Sequence, residues 1–177
     1  MTLGVTITEA LPDQLTLEVV VQDDAWPEHV ADAGFVAPIA AVLRDFIEFE
    51  GDERAVVAFS SDAEVRTLNA RFRDKDKPTN VLSFPAISPE LAPGACAPGT
   101  LLGDIILARE TVIREAATQK ISFEHHVAHL VLHGLLHLIG YDHDKPDAAE
   151  EMETLEIDIL AALGIANPYS EELVDTD

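Results

Sequence analysis

Three histidines at the end of one apolar segment constrain this chain more than any other feature of its sequence. His133 and His137 are four residues apart in a segment of helical character, and His143 follows six residues later. Residues four apart share one helical face, with Cβ atoms about 5 to 6 Å apart, so both rings can reach one ion through bonds of about 2 Å. The spacing therefore predicts a metal-binding helix.

Gly140 separates the helical pair from the third histidine. Glycine readily adopts the left-handed backbone that ends a helix, and the chain then turns back toward the same ion. Three imidazole ligands leave a fourth coordination position open, which is typical of catalytic zinc sites. A packed core has little use for three ionisable rings. We expect one zinc ion here, although other divalent transition metals also accept imidazole.

Two neighbours of these histidines are expected to support the site without binding the ion. His129 extends the same helical face, but eight residues of helix rise by about 12 Å, so His129 and His137 cannot share one metal. Asp142 is expected to orient a ligand histidine, or to accept a proton. His125 and His126 are expected to be solvated in the first turn of the helix.

The residue after the first histidine narrows the choice of reactions that the site could catalyse. In the zinc peptidase pattern this residue is a glutamate that acts as general base, whereas here it is Gly134. An ordinary peptidase mechanism therefore lacks its proton acceptor. A zinc metallopeptidase-like hydrolase becomes the second choice of function.

The segment 133–143 resembles the signature of the bacterial YbeY family of metal-dependent endoribonucleases. Residues 73–85 (RDKDKPTNVLSFP) and 101–106 (LLGDII) are similar to two further family segments, and the matches span about residues 55 to 163. The resemblance implies a single α/β domain with one zinc-type ion and single-stranded RNA as substrate. It also implies a role in ribosomal RNA maturation, at the 3′ end of 16S RNA, and in ribosome quality control.

The resemblance further implies that Arg73 matters for activity. Phosphodiester cleavage builds negative charge on phosphoryl oxygens, and a planar guanidinium binds two such oxygens. A surface arginine that closes a helix is the alternative interpretation. Pro78 breaks any helix here, so polar side chains are expected to line the RNA path: Lys75, Lys77, Asn80 and Ser83. A solvated loop is the alternative for the lysines, and a turn hydrogen bond for Asn80.

The overall charge argues against a general nucleic-acid binder. The chain carries 11 Lys and Arg against 33 Asp and Glu, a formal net charge of −22. Five of the eleven cations fall within residues 66–77, and we expect them to form a local positive stripe. Productive contact with RNA is then restricted to this region. A ribosomal or other protein partner is expected to supply further affinity, and a metal-bound ribosome assembly factor with little catalysis is a third possible class.

The 177 residues, 47% of them hydrophobic, have the size of one domain, predicted over 1–165 with an acidic, frayed tail at 166–177. No apolar run reaches the roughly 20 residues that span a bilayer, and no signal peptide is recognisable, so we expect a cytoplasmic protein without membrane contact. The single cysteine, Cys96, lies in a loop rich in Pro and Gly and cannot form an internal disulfide.

Alternating period-two and helical patterns predict an α/β fold, with a small mixed sheet packed with helices around a zinc-dependent hydrolase-like core. Strands are expected over 15–21, 54–60, 80–84 and 101–107. Helices are expected over 38–50, from a capping box at Ser61 and Glu64, over 109–119, and over 147–163 after the metal helix. The acids of the last helix are expected to form a solvated face.

Overall fold

The computed structural model describes residues 4–7, 15–49, 53–86 and 101–169. These ranges form five strands and five helices. The strands are β1 (Gly4–Ile7), β2 (Thr16–Val21), β3 (Arg54–Ser60), β4 (Val81–Pro85) and β5 (Leu101–Ala108). The helices are α1 (Ala33–Phe46), α2 (Asp62–Arg73), α3 (Arg109–Gln119), α4 (Phe123–Leu138) and α5 (Pro146–Ala162).

The strands form one mixed sheet in the order β1-β2-β3-β5-β4. The three central strands run parallel, and β1 and β4 pair antiparallel at the edges. Parallel strands with helices on both faces are buried on both sides, which explains the nearly continuous apolar runs of β3 and β5. The predicted α/β fold with a small mixed sheet is confirmed.

Alternate residues of the central strands contribute to two cores. Phe59 and Leu107 belong to the large cluster, which α1, α4 and α5 cover. Ala58 and Ile106 belong to a smaller cluster on the other face, where Val65 of α2 packs. This alternation is the period of two that a strand imposes on its side chains. Helices α2 and α4 therefore lie on opposite faces of the sheet.

The predicted bounds of α1 were wrong at both ends. Pro38 was expected to start the helix, but the Asp32 side chain accepts a hydrogen bond from Gly34 N at 2.9 Å and starts it five residues earlier. Pro38 lies inside the helix, which ends at Phe46, before the extended Ile47. Strand β1 had not been anticipated. The remaining predicted strands and helices agree with the structure to within about two residues.

Helix α4 packs tightly on β5 through Gly134. A Cβ atom at this position would lie 2.9 Å from Ile105 Cγ2 and 3.0 Å from Ile105 Cγ1, closer than side-chain carbons approach one another. Ile105 is fully buried and has little freedom to move aside. The glycine between the first two histidines is therefore required by the packing of helix on sheet.

Two expectations fall outside the described residues: the loop around Cys96 and the tail beyond Tyr169. None of the helices in the described part combines the length and the apolar character that crossing a bilayer requires.

Candidate metal centre and cleft

Three histidine rings converge at the C-terminal end of α4. The Nε2 atoms of His133 and His137 are 3.1 Å apart. Gly140 has a φ of 102°, in the left-handed region, and turns the chain back after the helix. The ring centroid of His143 is consequently 5.0 Å from that of His137 and 5.6 Å from that of His133. One ligand nitrogen from each ring lies within 4.8 Å of the others.

The arrangement of these nitrogens fits a single metal ion. With metal–nitrogen bonds of about 2.0 to 2.1 Å and tetrahedral angles, ligand nitrogens are about 3.3 Å apart. The 3.1 Å between the two α4 rings is close to that value. His143 is exposed, whereas His133 and His137 are half-buried, so an ion bound to the three rings would face the surface.

The surroundings of His137 keep its ring in the metal-binding form. Burial, and then the charges of His133 and His143, lower the pKa of His137 to about 4. The ring is therefore neutral near pH 7. Only neutral imidazole offers a lone pair to a metal.

A buried carboxylate holds the ring of His133 through the nitrogen that faces away from His137. Glu156 of α5 is fully buried, and its Oε1 accepts a hydrogen bond from His133 Nδ1 at 2.5 Å. Because the proton is then on Nδ1, the lone pair of Nε2 points toward the other two histidines. Burial raises the pKa of Glu156, but contacts with His129 and His133 outweigh it and lower the pKa to about 2.

The expectation that the acids of α5 face solvent was wrong at Glu156. The sequence contains a usable signal, because Glu156 lies four residues after Met152 and three before Ile159, both of which are buried. An acid in the apolar stripe of a helix needs a partner inside the protein. His133 is that partner.

Glu156 also binds a residue from the segment predicted to be an acidic tail. The hydroxyl of Tyr169 donates a hydrogen bond to Glu156 Oε2. Burial, and then this bond, raise the pKa of Tyr169 above its ordinary range. His129 contacts the same carboxylate at 3.5 Å, an ion-pair distance rather than a hydrogen bond, and its ring packs against Tyr169. His129, His133 and Glu156 form a second group of closely spaced ligand atoms.

Asp142 holds the backbone of the turn that carries His143. Its Oδ1 accepts hydrogen bonds from the backbone N–H of His143 at 2.7 Å and of Asp144 at 3.1 Å. A carboxylate in this position fixes the turn that presents His143. It is Glu156 that accepts a hydrogen bond from the ring of His133.

A cleft of about 1180 Å³ contains the three histidines. Its lining also includes Arg73 and every side chain expected on the RNA path, namely Lys75, Lys77, Asn80 and Ser83. These residues come from the end of α2, from the loop that follows it and from β4. Strand β4 in turn contacts α4, the helix that carries His133 and His137. The fold thus brings two separate segments of the sequence to one opening.

Arg73 reaches from the end of α2 across to β4. Its Nη2 donates a hydrogen bond to the carbonyl oxygen of Ser83 at 2.9 Å, and its Cζ lies 5.7 Å from the ring centroid of Phe84. A guanidinium has five N–H donors, of which this bond uses one. The side chain is thus anchored on the wall of the cleft.

Asn80 is held by the pair of Glu115 and His126, which had not been predicted. Its Nδ2 donates to Glu115 Oε1 at 3.0 Å, and its Oδ1 accepts from Val81 N at 2.7 Å. The same Glu115 oxygen lies 2.9 Å from His126 Nε2. His126, expected to be solvated, is only 4% exposed, because α3 packs against its turn of α4. Glu115 lines the cleft, but no motif of the sequence pointed to it.

The predicted positive stripe is divided. Arg66 forms an ion pair with Asp76, with Nε to Oδ1 at 2.8 Å, in a separate shallow groove that Arg71 also lines. Arg73, Lys75 and Lys77 line the main cleft. Three of the five cations are therefore presented beside the histidines.

An α/β fold of this type, whose cleft contains an anchored arginine and three histidines that could bind a metal ion, indicates a hydrolase. A family model described as Endoribonuclease YbeY matches residues 21–164. The chain belongs to this family of endoribonucleases.

Similar proteins cover nearly the whole chain. A relative from Bradyrhizobium diazoefficiens, named Endoribonuclease YbeY, is 46% identical over 94% of this chain and 91% of its own length. A protein of the same name from Nitrobacter winogradskyi is 47% identical over 86% of this chain and 81% of its own. The solution structure of TM1509 from Thermotoga maritima has a TM-score of 0.50 and 25% identity, and the match covers 81% of this chain and 90% of that one.

Proposed function

We propose that this chain is a metal-dependent endoribonuclease that cleaves phosphodiesters of single-stranded RNA during maturation of ribosomal RNA, including the 3′ end of 16S RNA, and in ribosome quality control. The observation that carries the proposal is the presence of three converging histidines and the anchored Arg73 in one cleft. The names of the relatives support RNA as the substrate.

His133, His137 and His143 would hold one ion, and we propose zinc because imidazole nitrogens suit it well. When bound, the ion supplies Lewis acidity at the scissile phosphate. Arg73 would bind the phosphoryl oxygens on which negative charge grows, through guanidinium N–H groups that its bond to Ser83 leaves available.

The remaining cleft residues would position the RNA strand. Lys75 and Lys77 are exposed at the cleft and would contact neighbouring phosphates. Asn80 is fixed by Glu115, and would offer its second amide hydrogen to the RNA. Ser83 lines the same wall.

We further propose that the protein works in the cytoplasm with the ribosome, or a ribosomal protein, as its partner. The formal net charge of −22 supports this, since RNA is repelled by most of such a chain. A partner that presents the RNA end would compensate for weak binding of naked RNA.

Chelator sensitivity tests the proposed reaction. Purified protein should cleave labelled single-stranded RNA, should lose this activity in EDTA and should regain it with added Zn²⁺, whereas labelled casein should stay intact throughout. Denaturing gels of both substrates provide the measurement. Cleavage of casein alone would favour a peptidase, and cleavage of neither would favour an assembly factor.

The contact between Glu156 and His133 predicts an effect on metal affinity. Glu156→Gln removes the negative charge behind the ligand, and we expect zinc to bind about 10- to 100-fold more weakly. Competition with a chromophoric chelator measures the affinity. Glu150→Gln, an exposed acid on the same helix, is the matched control and should bind zinc like the wild type. Equal affinities for the two variants would show that Glu156 has no such role.

A further inference from the structure

Phe72 presents an aromatic ring to solvent beside the cleft. Its side chain is 59% exposed, more than any other large apolar side chain in the described ranges. It occupies the position before Arg73, near the end of α2. Its ring packs against Phe84 of β4 with centroids 5.5 Å apart and an angle of 67° between the planes. Holding such a ring in water is unfavourable, which suggests that something covers it in the working state.

Two guanidinium groups flank the pair of rings. Arg71 Cζ lies 5.3 Å from the centroid of Phe72, and Arg73 Cζ lies 5.7 Å from the centroid of Phe84. Flat aromatic rings and guanidinium planes are the two surfaces on which proteins stack unpaired nucleobases. The positive charges also suit the phosphates on either side of a stacked base.

The pair adjoins the proposed path of the RNA. Arg73 connects the pair of rings to the cleft. Its Cζ lies near Phe84, and its Nη2 donates a hydrogen bond to the carbonyl oxygen of Ser83, a residue that lines the cleft. Pro85, the residue after Phe84, also lines the cleft. A strand whose phosphate meets Arg73 would pass beside the exposed ring of Phe72.

We propose that Phe72 and Phe84, with Arg71 and Arg73, form a stacking platform for one nucleobase of single-stranded RNA next to the cleaved bond. The proposal deepens the proposed function, since it names a substrate contact of the same cleft. Stacking requires a base that is free of a duplex, so the platform favours single strands. Every base has a flat face, so we expect little preference for sequence.

Binding of a labelled RNA of about 12 nucleotides, 2′-O-methylated at every ribose, tests the platform by fluorescence anisotropy with the zinc-loaded full chain. Gels confirm that the probe stays intact. Phe72→Ala should weaken binding about 5- to 150-fold, the range for loss of one stacked base. Phe72→Tyr should bind like the wild type. Phe72→Leu, apolar without a π face, should bind like the Ala variant.

Phe46→Ala is the matched control, because Phe46 is 42% exposed at the end of α1, a helix that covers the opposite face of the sheet from α2. It should bind RNA like the wild type. Probes lacking one base at successive positions complete the test. At one position, loss of the base should weaken binding to the wild type and leave binding to Phe72→Ala unchanged.

Two results would overturn the platform: equal affinity of Phe72→Ala and wild type, or full binding by Phe72→Leu, which would indicate a general apolar contact. The cleavage assay with unmodified RNA is separate. A wild type that binds through Phe72 but cleaves no RNA would refute the proposed endoribonuclease reaction and leave the platform standing.

Discussion

His137→Ala should lose its bound metal and its RNA cleavage together. The substitution removes one of the three proposed ligands, and the two remaining histidines would hold a divalent ion less tightly. We expect the metal content to fall from about one ion per chain to near zero, and cleavage to fall to the level of the EDTA-treated wild type. Elemental analysis and the gel assay on the same preparation measure both.

His125→Ala provides the control for this experiment. His125 lies on the same helix and is exposed, but it belongs to neither group of closely spaced ligand atoms. It should retain metal and cleavage. Circular dichroism of both variants separates loss of the ion from loss of the fold. A His137→Ala protein that keeps a full complement of metal and cleaves RNA normally would exclude the three-histidine centre.

Arg73→Ala should keep its metal and lose turnover. The guanidinium is anchored on the cleft wall, where it would meet the phosphoryl oxygens, and loss of one such stabilising donor costs about 10²- to 10³-fold in kcat. Arg73→Lys, which retains the charge but not the planar pair of donors, should fall between the wild type and the Ala variant. Steady-state kinetics with elemental analysis separate the two effects.

Arg66→Ala is the matched control, since Arg66 lies on the same helix but pairs with Asp76 in the separate groove. Its turnover should equal that of the wild type. Full activity of Arg73→Ala would remove this arginine from the mechanism. Loss of metal from Arg73→Ala would mean that its contact with Ser83 is needed to build the site, and that charge stabilisation is not its main role.

Local spacing explains why the clustering of the three histidines could be predicted. His133 and His137 share a helical face whatever the rest of the chain does, and a glycine after the helix allows His143 to return. The segment around Arg73 was predicted from its motif, although the motif says nothing of the distance to the histidines. That distance depends on β4, which places the segment beside α4.

Contacts between distant elements were the ones missed. Glu156 is 23 residues from His133, and Glu115 is 35 residues from Asn80, so no local pattern links either pair. Both acids are held by histidines of α4, and one of these, His126, had been expected in solvent. Whether a polar helical residue is buried depends on which other helix or strand packs over it. The arrangement of the elements in space determines this packing, and local sequence does not reveal it.

The start of α1 was predicted wrongly because the proline was preferred over the capping residue before it. Pro38 has the φ angle of a helix start, but Asp32 supplies the hydrogen bond that the first turn needs. The helix begins at the stronger signal and accommodates the proline inside. Strand β1 is short and obtains its hydrogen bonds from β2, a partner that its own sequence does not specify.

The contact of Gly134 with Ile105 separates this enzyme from the zinc peptidases by more than one mutational step. A glutamate at position 134 would have to occupy the volume that three atoms of Ile105 fill. Evolution or design that sought a peptidase here would first have to replace Ile105 of β5 with a smaller residue, which would lose core packing before any new activity appeared. The packing of α4 on β5 thus opposes a peptidase-type general base at position 134 without involving the histidine cluster itself.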